Sequence, residues 1–118
     1  MSDRDWLLVG TCDRVTIADI TLAVYGETGV GIDLIKSCRH DAHIVRSRHI
    51  VMYLAREITG RSYPQIGRDM GGKDHSGVMH GCRRIASRIA YDGELMALVE
   101  RCKARAMALS IVRWVSAA

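Results

Sequence analysis

The chain has 118 residues, of which 48% are hydrophobic and 25% are charged, and its net charge is +4 with the histidines neutral. This length and composition predict a single globular domain. The sequence has no run of about 18 apolar residues, so we expect no membrane span. The basic excess permits a nucleic-acid partner without requiring one, so the distribution of the charge matters more than its sum.

The first predicted helix begins after Thr16, a good N-cap residue, and carries Asp19 in its first turn. Its apolar stripe consists of Ile17, Ile20 and Val24. We expect it to stop near Gly26, where the glycine-rich stretch 26–31 begins. That stretch lacks the Lys-Ser/Thr pair of a phosphate-binding loop, so we predict no nucleotide and no cofactor.

A short helix at 32–35 is followed by a basic segment, residues 36–48. Residues 36–49 contain three histidines and a single acidic residue. The next helix is predicted at about 47–59, with Gly60 as its stop. Its stripe consists of Ile50, Leu54 and Ile58.

Ser62 can cap a further short helix that has Pro64 in its first turn, and two glycines, Gly71 and Gly72, follow it. The longer helix after these glycines has an apolar stripe made of Val78, Cys82, Ile85 and Ile89. Its opposite face holds Ser76, His80, Arg83 and Ser87, with Gly77 and Arg84 beside them. A short helix, a glycine turn and a basic-faced helix together predict a helix-turn-helix.

The last helix is predicted to start near Asp92 and to run past Leu109. Its stripe consists of Leu95, Leu98, Val99, Cys102, Ala106 and Leu109. The apolar residues Ile111, Val112, Trp114 and Val115 then fall on further faces. Such residues indicate self-association or a protein partner, although the tail could instead fold back over Trp6. The fold class is all-α: a small helical bundle with a helix-turn-helix and an extended C-terminal helix.

Residues 48–85 resemble the C-terminal DNA-binding domain of the bacterial replication initiator DnaA. The resemblance is carried by Met52–Thr59, Ser62–Gly67, Gly71–His80 and Arg84–Ile85. It implies a helical domain at 14–105, with extensions at 1–13 and 106–118. In that family the recognition helix enters the major groove of double-stranded DNA and a basic loop reaches the minor groove.

The resemblance assigns base reading to Asp74, His75 and Ser76, and minor-groove contact to His40 with the adjacent Arg39. Phosphate-contacting positions of the family fall on Arg48, His49, Ser62, Tyr63, Pro64, Gly77 and His80. Their positive charge adds Arg46, Lys73, Arg83 and Arg84 to the expected phosphate contacts. Asp74 could instead serve only as an N-cap.

Several positions depart from the family pattern. Ser76 and Gly77 replace two threonines, His40 replaces an arginine, and Ala42 replaces a basic residue. Serine lacks the methyl group that can touch thymine, and histidine inserts less charge than arginine at neutral pH. We therefore expect the recognised sequence to differ from the initiator's usual box.

The expected function is sequence-preferring DNA binding, as a regulator of replication or transcription or as a phage-type recognition subunit, in the cytoplasm at the nucleoid. The alternative is a degenerate fold used for protein interaction or oligomerisation. An enzyme is not expected, because Asp74, His75 and Ser76 are sequence neighbours and cannot act in series as a triad. A metal site is not expected either, since Cys38, His40 and His43 fit no standard zinc spacing.

Overall fold

The computed structural model describes residues 15–117, without the side chains of residues 114, 116 and 117. Within this range the chain forms six α-helices and no strand. They are α1 (Ile17–Thr28), α2 (Ile32–Lys36), α3 (Ala42–Leu54), α4 (Tyr63–Asp69), α5 (His75–Ile89) and α6 (Gly93–Ala117). A π-helical turn, Ala55–Thr59, continues α3. The predicted all-α class and the long last helix are confirmed, while the predicted extension at 1–13 lies outside the described residues.

The predicted helix starts are confirmed by their capping bonds. Thr16 and Asp19 form a reciprocal capping box at the start of α1, and Ser62 does the same with Gln65 at α4. The carboxylate of Asp92 accepts from the backbone N–H of Leu95 at the start of α6. Each bond satisfies a backbone donor that a helix N-terminus leaves without a partner.

Two predicted boundaries were wrong. Helix α1 passes through Gly26 and ends at Thr28, because the left-handed residue that terminates it is Gly29, with a φ of 77°. Helix α3 begins at Ala42 rather than near Ser47. The basic segment is therefore mostly helical, and only residues 37–41 form a loop. We call residues 37–41 the basic loop.

Helix α3 lies at the centre of the bundle, between α1 on one side and α5 on the other. The core combines the apolar stripes predicted from the sequence. Its fully buried side chains include Ile20, Ile35, Ile50, Leu54, Ile66, Met70, Val78 and Ile85. This packing leaves the polar face of α5 exposed.

The turn between α4 and α5 depends on glycine at three positions. Gly71 and Gly72 have φ values of 87° and 80°, which side chains rarely adopt. The carbonyl of Gly67 accepts from the N–H groups of Gly72 and Lys73, at 3.0 and 2.8 Å. A Cβ at Gly67 would collide with the backbone carbonyl oxygen of Lys73, so this close approach fixes α5 against α4.

Helix α6 packs antiparallel on α1 and crosses residue 105 without a break. Beyond that residue Ala106 and Ser110 are buried, whereas Ile111, Val112 and Val115 are 57%, 63% and 64% exposed. One face of the predicted extension therefore docks on the bundle, and its other faces do not. None of the helices described has the length and hydropathy of a membrane span.

Candidate nucleic-acid interface

The start of α5 presents three polar side chains to solvent. Asp74 caps the helix, accepting from the N–H of Ser76 at 3.1 Å, and its second oxygen lies 3.5 Å from His75 Nδ1. The side chains of Asp74 and His75 are 72% and 57% exposed. The cap therefore occupies one carboxylate oxygen and leaves the group accessible to a ligand.

The middle of α5 lies unusually close to α3. A Cβ built on Gly81 would come within 2.6 Å of the Met52 sulfur and 2.8 Å of His49 Cδ2. His80, one position earlier, meets the His49 ring edge to face at 5.9 Å between ring centroids. The absence of a side chain at Gly81 thus sets how near α5 comes to the centre of the bundle.

The basic loop exposes two of the residues predicted to read DNA. Arg39 is 60% exposed and pairs with Asp41 at 3.2 Å. His40, next to it, is also exposed. Within the loop, Ser37 Oγ donates to the carbonyl of Leu34 and accepts from the N–H of Arg39. The loop is thus a hydrogen-bonded turn with its cationic residues outward.

The side chain of Arg48 is hydrogen-bonded to the basic loop and to the end of α2. Its guanidinium donates to the carbonyl oxygens of Ile35 at 2.8 Å, Arg39 at 3.0 Å and Leu34 at 3.4 Å. The residue is only 7% exposed, and this burial lowers the pKa of its guanidinium. The sequence predicts a phosphate contact for Arg48, but this geometry favours a role in positioning the loop.

Lys73 is also hydrogen-bonded to the basic loop. Its Nζ donates to the carbonyl of Ser37 at 2.6 Å and lies 3.5 Å from Cys38 Sγ. Lys73 directly precedes the cap of α5, so one ammonium group links the basic loop to the start of this helix. If Lys73 also contacts a phosphate, as the sequence predicts, its ammonium group would have to bind both that phosphate and the Ser37 carbonyl.

A cleft of about 410 Å³ separates the basic loop from α5. Seven of the residues singled out from the sequence line it: His40, Arg48, His49, Lys73, Asp74, Gly77 and His80. They come from positions as far apart as residues 40 and 80, so their convergence is a result of the fold. We call this space the reading cleft.

Burial, followed by the charges of His80, Arg48 and Arg84, lowers the pKa of His49 to about 4. His49 is therefore neutral at physiological pH. A neutral imidazole can offer one hydrogen-bond donor to a phosphate but no charge.

The remaining predicted residues lie on either side of α5. Ser62, Tyr63 and Pro64 form the start of α4, and Arg83 lines a shallow groove with Tyr53 and Arg56. On the other side, Arg46 and Arg84 line a second cleft together with Arg88.

The sequence reasoning missed Arg56 and Arg88 as site residues. Arg56 stacks on the Tyr63 ring, with its guanidinium carbon 4.6 Å from the ring centroid. Arg88 lies four residues after Arg84, and this spacing could have identified it as a neighbour on the same helical face.

Residues 17–85 match the family described as "Bacterial dnaA protein helix-turn-helix". The chain belongs to this DnaA helix-turn-helix family. Among its relatives, a chromosomal replication initiator protein DnaA of Rhodopseudomonas palustris is 40% identical over 100 residues, which are 85% of this chain and 21% of the relative. The DnaA of Streptococcus agalactiae is 38% identical over 89 residues, 75% of this chain and 20% of the relative.

This chain thus spans about a fifth of the length of these relatives. The family match covers α1 to most of α5 and therefore includes the basic loop, the reading cleft and the glycine turn. The DnaA resemblance expected from the sequence is confirmed. All of α6 lies beyond the family match.

Proposed function

We propose that the chain binds double-stranded DNA with a sequence preference, with the start of α5 in the major groove and the basic loop in the minor groove. The observation that carries this proposal is the reading cleft. It places His40 of the loop and Asp74 of the helix start on two walls of one space. Membership of the DnaA helix-turn-helix family supports it.

The residue chemistry supports base reading at the start of α5. A carboxylate such as that of Asp74 accepts from cytosine N4, while the His75 imidazole can donate to a purine acceptor. Ser76 can do either. All three side chains are exposed, so a base edge can reach them without a rearrangement of the helix.

Cationic side chains flank this helix on both sides. Arg83 lies beside Arg56 in one groove, and Arg84 lies beside Arg46 in another. The two phosphate backbones border the major groove on both sides, so a helix lying in it would have a cationic wall toward each strand. In the cell such a chain would regulate replication or transcription, or serve a phage-type assembly as its DNA-recognition subunit.

Selection of bound duplexes from a random pool tests this proposal, and a short asymmetric motif is the expected result. The informative variant is Asp74→Asn, because asparagine is an equally good N-cap but prefers adenine to cytosine. The selected motif should change at one position while thermal stability stays the same. An unchanged motif would mean that Asp74 acts only as a cap, and recovery of unenriched DNA would contradict the proposal itself.

His75→Ala should relax the preference at one base, with a loss of about 1–3 kcal/mol on the selected site. Lys103→Gln is a matched control, since Lys103 is exposed on α6 and lines neither the reading cleft nor the flanking grooves. Equal losses from both variants on all duplexes would contradict base reading by His75.

A second candidate function, self-association, is favoured by the exposure of Ile111, Val112 and Val115 on the last turns of α6. Val112→Lys should convert a self-associated form into monomer in light scattering. Ala104→Lys, at an exposed position earlier on α6, serves as the control. A monomeric unsubstituted chain at high protein concentration would refute self-association.

A further inference from the structure

A second, smaller cleft adjoins the reading cleft. It has a volume of about 190 Å³ and lies between the start of α3 and the second half of α5. His40 forms part of the wall of both clefts. We call the smaller space the arginine cleft, after the residues that distinguish it: Arg46, Arg84 and Arg88.

The charge of the arginine cleft is not balanced by its own walls. None of the described residues that line it is an aspartate or a glutamate. A neighbouring cleft of about 490 Å³ shares Arg46 and Arg88, but Glu27, Asp92 and Glu94 also line it. The arginine cleft is thus cationic where its neighbour is mixed.

The ion pairs agree with this description. Arg88 pairs with Asp92 at 3.6 Å through one terminal nitrogen, which leaves the other donors of the guanidinium to the cleft. Within residues 15–117, no ion pair engages Arg46 or Arg84. Two of the three guanidinium groups therefore face the space without an acidic partner.

An anion in the cleft would reduce the repulsion between two of its arginines. Arg84 and Arg88 are four residues apart on one helical face, where like charges repel. The apolar side chains of Val45 and Ile85 also line the cleft, and an apolar wall strengthens the attraction between a guanidinium and an anion. The positive charge of Arg84 also acts on His49, whose pKa is lowered first by burial, then by His80 and Arg48, and least by Arg84.

The size of the cleft limits what it can hold. Pockets for whole small molecules are roughly 300–1,000 Å³, so a space of about 190 Å³ suits a chemical group rather than a nucleotide. Guanidinium groups bind the oxygens of phosphate in bidentate fashion. We propose that the arginine cleft binds one phosphate group through Arg46, Arg84 and Arg88.

Duplex DNA is one source of that phosphate, and this part of the inference rests on the proposed function. The minor groove is about 6 Å wide and has a phosphate strand on each side. If His40 enters it from the wall that the two clefts share, one strand lies toward the reading cleft and the other toward the arginine cleft. DNA contact would then extend past the bases that α5 reads.

The DNA arm of the test uses the full chain and its selected motif in a series of duplexes shortened from each end. Arg46→Gln and Arg84→Gln should each lower the salt dependence of binding by about one unit on the longest duplex. Lys103→Gln should not. Shortening the duplex at one end removes the phosphate and should weaken DNA binding by the unsubstituted chain. The same truncation should not affect binding by Arg84→Gln, because this variant has already lost the arginine that contacts that phosphate.

The second arm uses inorganic phosphate alone. Phosphate should shift the side-chain Nε–Hε signals of Arg46, Arg84 and Arg88 more than sodium chloride of equal ionic strength does. Such shifts without DNA binding would support the cleft and contradict the proposed function. Selected DNA binding with unchanged salt dependence in the variants, and no specific phosphate shift, would overturn the cleft and leave the proposed function intact.

Discussion

The α1–α6 face and the α3–α5 face are both rich in arginine, but the arginines of the two faces have different partners. On the first, Glu27 pairs with Arg101 at 3.0 Å and with Arg105 at 2.7 Å, and Asp19 pairs with Arg113 at 2.8 Å. On the second, most cations donate to backbone carbonyls or face solvent, and the ion pair of Arg88 with Asp92 is longer, at 3.6 Å. The number of basic residues therefore does not locate an anion-binding surface, whereas the partner of each one does.

The largest expected effect concerns the close backbone contact that supports the α3–α5 face. Gly67→Ala places a Cβ against the Lys73 carbonyl, and we expect a loss of about 3 kcal/mol in the free energy of unfolding. Gly77→Ala is the matched control, because a Cβ there meets no atom within 4 Å, and it should stabilise the protein by about 1 kcal/mol. Urea denaturation measures both, and equal effects would contradict the steric explanation.

The next effect separates a cation that supports the loop from one that faces solvent. Arg48→Met removes two bonds to carbonyls of α2 and one to a carbonyl of the basic loop, and it should lower the free energy of unfolding by about 2 kcal/mol. Arg46→Met, two residues earlier and exposed, should change it by less than about 0.5 kcal/mol. If the two variants proved equally stable, Arg48 would not have the positioning role described above.

The smallest effect belongs to the α1–α6 face. Burial alone would raise the pKa of Asp19, but hydrogen bonds from Arg113 and Thr16 outweigh it, so the pKa lies below its usual 3.8. A carboxylate with a lowered pKa stabilises the fold above pH 3.8, and this contribution is lost as the pH falls through the folded-state value. Asp19→Asn should therefore cost about 1 kcal/mol at neutral pH and nothing in strong acid.

Denaturant titrations of both chains over a range of pH measure this dependence. A difference between them that stayed constant into strong acid would show that the charge of Asp19 is not what stabilises the α1–α6 face. The carbonyl bonds of Arg48 involve no carboxylate, so the cost of Arg48→Met should not fade in the same acid range.

The sequence predicted the elements whose apolar residues recur regularly. Helices α5 and α6 and the caps at Thr16 and Ser62 follow from spacing and local chemistry alone. The start of α3 was missed because its buried face includes Ser47 and Arg48. These polar residues interrupt the apolar pattern by which a helix is recognised in a sequence.

The hydrogen-bond partners of individual cations could not be predicted from a sequence pattern either. The carbonyl that Arg48 Nε reaches lies 13 residues away, and the one that Lys73 reaches lies 36 residues away. Only the packing of α3 against α2 and of the glycine turn against the basic loop brings these groups together. Such contacts leave no trace in the spacing along one helix, so Arg48 was assigned to phosphate by the family resemblance and Lys73 by its charge.

The attachment of the basic loop at two of its carbonyls has a consequence for the speed of recognition. A segment that orders only when it meets its ligand adds an entropic cost and a conformational search to each encounter. Here Lys73 and Arg48 hold the loop through carbonyls of the folded chain, so the ordering is completed during folding. Encounters would then be limited by diffusion and orientation rather than by loop closure.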